Sequence, residues 1–328
     1  MDSKTAPKSE DRRQFLIRTV KAALSIAGAG AIGYGFHKHR RTSSSFEVKS
    51  LIGFPDFSIP GLEGRMCVAK DPDRINALKR SLNAMGGIEA WIREGDRVLL
   101  KVNAAFATPP NLSATTHPDL VYELASLCRK AGAKKVIVTD NPINDPLSCF
   151  SLTGIAKAAL SAGAEVVIPK EHYFKPMTLS GGKLIREWPV LYEPFAGINK
   201  VIGVAPVKDH QRSGASMSMK NWYGILGGRR NIFHQNIHDI IKELAILVKP
   251  TLVILDGTFT MITNGPTGGS LSDLKKTNRL VVSSDQVAAD SFGATLLGKD
   301  PGDLPFIAKA EAAGAGRSDY RSLEFKMI

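Results

Sequence analysis

The chain has 328 residues, of which 43% are hydrophobic; that is enough for a sizeable core and excludes a disordered chain. Its formal charge of +12 is uneven, because residues 1–41 hold nine Lys or Arg against three Asp or Glu and so carry half of it, which argues against a nucleic-acid partner for the rest. Three cysteines, Cys67, Cys128 and Cys149, form no CxxC, which excludes a disulfide framework and argues against an iron–sulfur cluster or four-thiolate zinc site.

Reading in chain order, residues 9–18 are SEDRRQFLIR. A run of 17 residues with four glycines follows from Val20 to Phe36, and then HKHRR. The run is short and weak for a membrane-spanning helix, which wants about 20 strongly apolar residues. A polar start, a moderately apolar middle and a basic exit read instead as a targeting segment. The SxxRRxFL spacing resembles a twin-arginine export signal, although Asp11 precedes the arginine pair and Ile17 stands where a lysine is common. Residues 1–46 are therefore expected to be a targeting segment and spacer. The twin-arginine export machinery is the expected partner, and the location periplasmic or otherwise extracytoplasmic. Retention of the segment as a membrane anchor is left open.

From residue 47 to 328 we expect a single α/β domain, a mostly parallel sheet flanked by helices. Strand patterns occur at 65–70, 97–103, 135–140, 166–168, 201–207, 251–256 and 279–282. Helical spacing occurs at 73–86, after Pro118, and at 153–162, 236–247, 286–297 and 304–313. The strands are apolar throughout rather than alternating, as in sheets covered on both faces. Residues 170–195 are irregular and read as a hairpin excursion; a junction between two lobes near 170–200 is left open. No GxGxxG follows a strand and no GxxxxGK[ST] occurs, which argues against the common dinucleotide and triphosphate loops.

In open parallel sheets, ligands bind beyond the carboxyl ends of the strands. The polar residues there are Lys101 and Asn103, Asp140 and Asn141, Lys208 and His210, Asp256, and Asp285. Turns favour Asp and Asn for their own reasons, but not Lys. Lys101 within VLLKVNA needs a charged partner or a shifted pKa, and Asp140 on a neighbouring strand would supply the first. MKNWYGILGG at 219–228 sets the donors Lys220 and Asn221 beside Trp222, Tyr223 and three glycines, which suits the wall of a site. The turn NGPTGG, with Asn264 and Gly265, has the composition of an anion-binding loop. His234 and His238 stand four apart on a helical stretch; with Asp256 and Asp290 they are the candidate ligands for a divalent metal. His210 is the candidate acid or base.

The pieces GDRVLLKVN, THPDLVYELASLCRKAGAKKVIVTDNP, VKDH, SMSMKNWYGILGG, ILDGTFTMITNGPTGG and SSDQVAADSFGATLLG, in this order and spacing, resemble the family catalogued as domain of unknown function 362. The resemblance runs from about Arg65 to Gly316. It marks Lys101, Asn103, Asp140, Lys208, His210, Lys220, Asn221, Asp256, Asn264, Gly265, Pro266, Asp285 and Asp290 as matching the family's motifs. It implies no activity. Many members look as though they carry a ferredoxin-like cysteine cluster; this chain has none. Two readings follow. One is an enzyme, with or without a cofactor, acting on a small anionic or carbonyl-bearing ligand, with Lys208, Lys220, Asn221 and His210 as catalytic groups and Lys101, Asn103, Asp140, Asn264 and Gly265 holding the ligand. The other is an exported binding or maturation accessory protein that turns nothing over.

Overall fold

The computed structural model describes residues 53–328 and, before them, Ile17, Thr19 and Val20. The expected targeting segment at 1–46 thus lies almost wholly outside the described residues. Ile52–Ile328 form one compact unit. Its strands are β1 (Arg65–Lys70), β2 (Arg97–Lys101), β3 (Lys135–Thr139), β4 (Glu165–Val167), β5 (Phe174–Met177), β6 (Trp188–Leu191), β7 (Lys200–Lys208), β8 (Leu252–Met261), β9 (Leu274–Ser283) and β10 (Glu324–Met327). The helices are α1 (Arg74–Ala84), α2 (Pro118–Lys130), α3 (Pro146–Leu152), α4 (Ile155–Ser161), α5 (Ser218–Asn221), α6 (Ile237–Leu247), α7 (Gln286–Leu296) and α8 (Pro305–Ala312).

Local chemistry sets many of these boundaries. Asp73 caps α1 by accepting from the Ile75 and Asn76 amides, and Asp285 caps α7 by accepting from Val287 and Ala288, each satisfying donors that a helix start leaves unpaired. Pro118 opens α2, where a missing N–H costs nothing, and Gly132 follows its end at φ 91°. The helix expected at 153–162 is α4, and α3, a separate helix just before it, was not expected. Pro146 opens α3, and Gly154, at φ 75°, breaks the chain before α4.

Eight strands form one sheet in the order β10-β1-β9-β8-β7-β2-β3-β4. Among them β9 alone runs against the rest, so the sheet is mixed and mostly parallel. Side chains alternate across it, as strand geometry requires. Leu99, Val201, Val253 and Val281 face a core shared with α6, α7 and α8; Val98, Leu100, Ile202 and Ile254 face a second core shared with α1, α2 and α4. Both faces are covered, which explains the unbroken apolar strands. Residues on either side of 170–200 share this sheet, and the stretch itself carries β5 and β6, an antiparallel hairpin. Glu243 of α6 holds the hairpin loop, its carboxylate accepting from the Lys183, Leu184 and Ile185 amides. Among the described residues, no helix is long and apolar enough to cross a membrane.

Candidate functional site

The sheet contains a switch point. From β2 the chain moves outward through β3 and β4, then returns as β7 on the opposite side of β2 and continues to β8. The connections leaving β2 and β7 therefore diverge, opening a crevice at their carboxyl ends, where such sheets place ligands. Lys101 ends β2 and Lys208 ends β7. A cavity of about 170 Å³ lies there, and its lining includes Lys101, Asn103, Asp140, Lys208, His210, Lys220 and Asn221. Seven residues expected from the sequence are brought to one place from three strand ends and one short helix.

Each is positioned by identifiable contacts. Asp140 receives the Ala104 amide at 2.7 Å on Oδ2, and Lys101 Nζ lies 2.7 Å from its Oδ1. The Lys101 ammonium also donates to Val102 O at 2.9 Å and to the Asn221 backbone and side-chain oxygens. Burial pulls Lys101 below the ordinary lysine range, and Asp140 opposes that shift. Gly224 allows the arrangement, since a Cβ there would overlap Asp140 Oδ1. Asn221 lines the cavity, but both ends of its amide are engaged, the oxygen with Lys101 Nζ and the nitrogen with the Lys101 and Val204 carbonyls. It positions Lys101 rather than presenting donors to a ligand.

Lys208 and Lys220 differ from Lys101. Lys208 Nζ donates to Ala114 O at 2.6 Å and lies over the Phe106 ring. Lys220 Nζ lies 5.2 Å from the centroid of Tyr223 and makes no hydrogen bond or ion pair with any described residue. Burial lowers the Lys208 pKa to about 7, with Lys220 as the next cause, and lowers that of Lys220 to about 8, with Arg230 and Lys101 adding repulsion. The short helix α5 that carries Lys220 is held from below. Asp290, fully buried on α7, accepts from the Ser218 and Met219 amides at 2.7 and 3.0 Å. Burial raises its pKa to about 7, against those two bonds.

The two imidazoles at the cavity have complementary hydrogen-bonding roles. His210 Nδ1 accepts from the Arg212 and Ser213 amides at 3.2 and 3.3 Å, so its proton resides on Nε2. Burial, then Lys220, His234 and Lys208, push its pKa down to about 2. His210 is therefore a neutral donor, and the sequence expectation of an acid or base is narrowed to the donor role. His234 Nδ1 lies 3.1 Å from Asn231 O and 3.2 Å from Tyr223 Oη. The Tyr223 hydroxyl already donates to Arg230 O, so His234 Nδ1 carries the proton and Nε2 is left as an acceptor. The rings stack with centroids 6.0 Å apart.

Other expected residues lie elsewhere. The metal set is not assembled, and among the described residues no three His, Cys, Asp or Glu side chains converge as ligands. Asp256 pairs with Arg74 at 2.6 Å, Asp290 is committed beneath α5, and His238 stacks on Phe306; of the four, His234 alone reaches the cavity. Asn264 and Gly265 shape their turn instead of facing a ligand. The Asn264 amide donates to Asp273 at 2.6 Å, and Gly265 packs so closely on the Asp209 backbone that no side chain fits. That approach brings the next residues, Pro266 and Thr267, to the cavity. Asp285 is a helix cap. Trp222 points into the core, where its indole donates to Gln286, while Tyr223 lines the cavity.

Sequence reasoning missed Arg230 and Phe106 as site residues. Arg230 donates to the Tyr223, Leu226 and Pro142 carbonyls and so ties two strand-end loops together. Its position after a glycine pair was the available sign, but it follows no strand.

Known proteins resemble this chain over much of its length. Thylakoid-associated protein sll1697 of Synechocystis sp. is 25% identical over 251 residues, covering 73% of this chain and 74% of that protein. The lactate racemase apoprotein from Thermoanaerobacterium thermosaccharolyticum superposes with a TM-score of 0.39 at 13% identity over 73% of this chain, which spans 58% of that structure's length. Residues 98–295, which run from β2 to α7 and include the lysines, histidines and Asp140 of the cavity, match the family described as domain of unknown function (DUF362), and the chain belongs to that family.

Proposed function

We propose that the protein is an enzyme that captures a small organic anion at this cavity and moves a proton on a carbon next to its carbonyl group. The observation that carries the reading is the charge balance. Three lysines and Arg230 surround the cavity with Asp140 as the one carboxylate among its lining residues, and Lys220 has no acceptor among the described residues. Burying an unmatched ammonium is costly, and an anionic ligand would offset that cost. In this reading Lys208 and Lys220 hold the negative group and Asn103, whose amide nitrogen has no partner among the described residues, orients it. His210 Nε2–H donates to the carbonyl oxygen, a role that suits a neutral imidazole. His234 Nε2 takes the proton from the adjacent carbon, leaving an enolate whose oxygen His210 stabilises, and returns it. The imidazolium formed on His234 would be supported by Asn231 O and Tyr223 Oη.

The test is exchange of the pyruvate methyl protons with D₂O, followed by NMR alongside calorimetric titration with pyruvate. The expected result is exchange above the buffer rate, lost in His234→Gln while binding is kept. Binding without exchange in the wild type would make the protein a non-catalytic ligand carrier, and absence of binding would overturn the reading altogether.

We also propose export by the twin-arginine route, on the strength of SEDRRQFLIR and the apolar run after it. The thylakoid association in the relative's name suits a protein that works away from the cytoplasm. Residues 1–46 fused to a reporter should direct it out of the cytoplasm, and Arg12→Lys with Arg13→Lys should stop it. Export unaffected by the double change would count against this route.

A further inference from the structure

The cavity continues outward. A second space of about 810 Å³ shares Asn141, Ile143, Tyr223, Arg230 and His234 with it. These five residues form a collar between an inner and an outer chamber. The outer wall is the β5–β6 hairpin, fastened to the glycine pair at 227–228. Gly227 N donates to Pro189 O at 2.8 Å, and Trp188 Nε1 donates to Gly227 O at 3.2 Å. A Cβ on Gly227 would meet the Phe174 ring at 2.6 Å, so hairpin and turn are as close as bare backbone permits.

The two chambers have opposite chemistry. Lys101, Lys208 and Lys220 all face the inner one. The outer one is bounded by Phe174, Pro189, Pro142 and Ile143, with Glu171 as the acid beside it. Arg230 lies between them, but its guanidinium is already bonded to three carbonyl oxygens, so it offers little to a second anion. Ile143 is 65% exposed, an apolar side chain left for a ligand to cover. The inner chamber is too small to enclose more than a compact acidic group with a few attached carbons.

From this we propose that the ligand has two parts: an acidic head bound among the inner lysines and an uncharged, largely apolar body, of the size of a ring or short chain, lying in the outer chamber against Phe174 and Pro189. The proposal rests on the small-anion reading given above and names the class of molecule that reading requires. It makes the outer chamber a specificity site. Small acids occupy the inner chamber alone, whereas the same acid with an apolar extension reaches into both. A second negative charge on the body is disfavoured by Glu171.

The test uses three probes with one headgroup: propionate, 3-phenylpropionate and 3-(4-carboxyphenyl)propionate, titrated calorimetrically into the full chain. The phenyl probe should bind roughly tenfold to a hundredfold more tightly than propionate, the gain expected for burying a ring of that size. Phe174→Ala should remove most of that gain and leave propionate affinity unchanged. Glu171→Lys, at an exposed position, should bring the doubly charged probe to an affinity that the wild type does not show. Equal affinity for propionate and 3-phenylpropionate would overturn the two-part ligand while leaving the small-anion reading intact. A ring preference that survives both substitutions would place the body elsewhere and overturn the proposal. No binding of any probe, with Lys220→Met indistinguishable from wild type, would overturn the underlying reading instead.

Discussion

The buried acids of the framework and two of the buried lysines at the cavity, Lys208 and Lys220, are treated differently in this chain, whereas Lys101 is matched by Asp140. Glu243 under the hairpin loop accepts three backbone amides, and Asp290 under α5 accepts two. Asp256 has Arg74 and the Thr258 amide, and Asp273 has Asn264, Thr263 and Ser270. At the strand-end cavity, Lys208 has one carbonyl and Lys220 has no protein acceptor among the described residues. In the acid-rich regions burial is matched by donors, so those groups stabilise local geometry. In the amine-rich region the match is incomplete, and the missing partner has to come from outside. Unmatched polarity, more than polarity itself, separates the candidate site from the framework.

Substitutions can break or sharpen this contrast. The largest effect should come from Asp140→Ala, which strands the Lys101 ammonium inside the protein; the expected loss is about 3–5 kcal/mol of stability, read from chemical denaturation. Glu243→Ala leaves three amides without an acceptor and should cost about 3 kcal/mol, with a cleavage site appearing in the 178–187 loop under limited proteolysis. Lys220→Met should behave in the opposite way. It removes a charge that has no partner among the described residues, so the melting temperature should hold or rise, while affinity for a small carboxylate falls by roughly tenfold to a hundredfold. A Lys220→Met protein that melts well below wild type would mean the lysine is framework, and the contrast would fail.

The same contrast also has a pH dependence. The Lys208 and Lys220 pKa values are lowered from 10.5 to about 7 and about 8. For groups with a depressed folded-state pKa, the linked stability is fully present above the unfolded value and is lost as pH falls through the folded values. Stability of the ligand-free protein should therefore decline from about pH 10 to about pH 7, and Lys220→Met should show a shallower decline. Anion binding favours the ammonium form, so it should take up protons between about pH 7 and 9 and weaken as pH rises. Titration in buffers of different ionisation enthalpy measures that uptake directly.

Much of this was legible in the sequence because of where lysine occurred. Lys101 and Lys208 close apolar strands, where a turn has no use for them, and Asp140 closes the strand between β2 and β4. These positions follow from strand period and strand ends alone. The pairing of Asp256 with Arg74, 182 residues away, could not be read, because β9 runs antiparallel and brings β1 and the start of α1 to the far side of β8. His234 and His238 obey helical spacing on paper, but residues 230–236 form 3₁₀ turns before α6 begins at Ile237. The spacing argument therefore fails, and the two rings go to different surroundings. The hydrogen-bonding roles of His210 and His234 needed coordinates, since each is set by backbone groups that only folding brings near.

The hairpin forming the outer wall is secured at both ends, by Glu243 at its loop and by Gly227 along β6. A wall fixed in this way does not have to swing aside for a ligand to enter or leave. Stopped-flow mixing should accordingly give an observed rate that climbs in a straight line with ligand concentration and reaches no plateau, so that residence time is set by contacts inside the chambers and not by the opening of a lid.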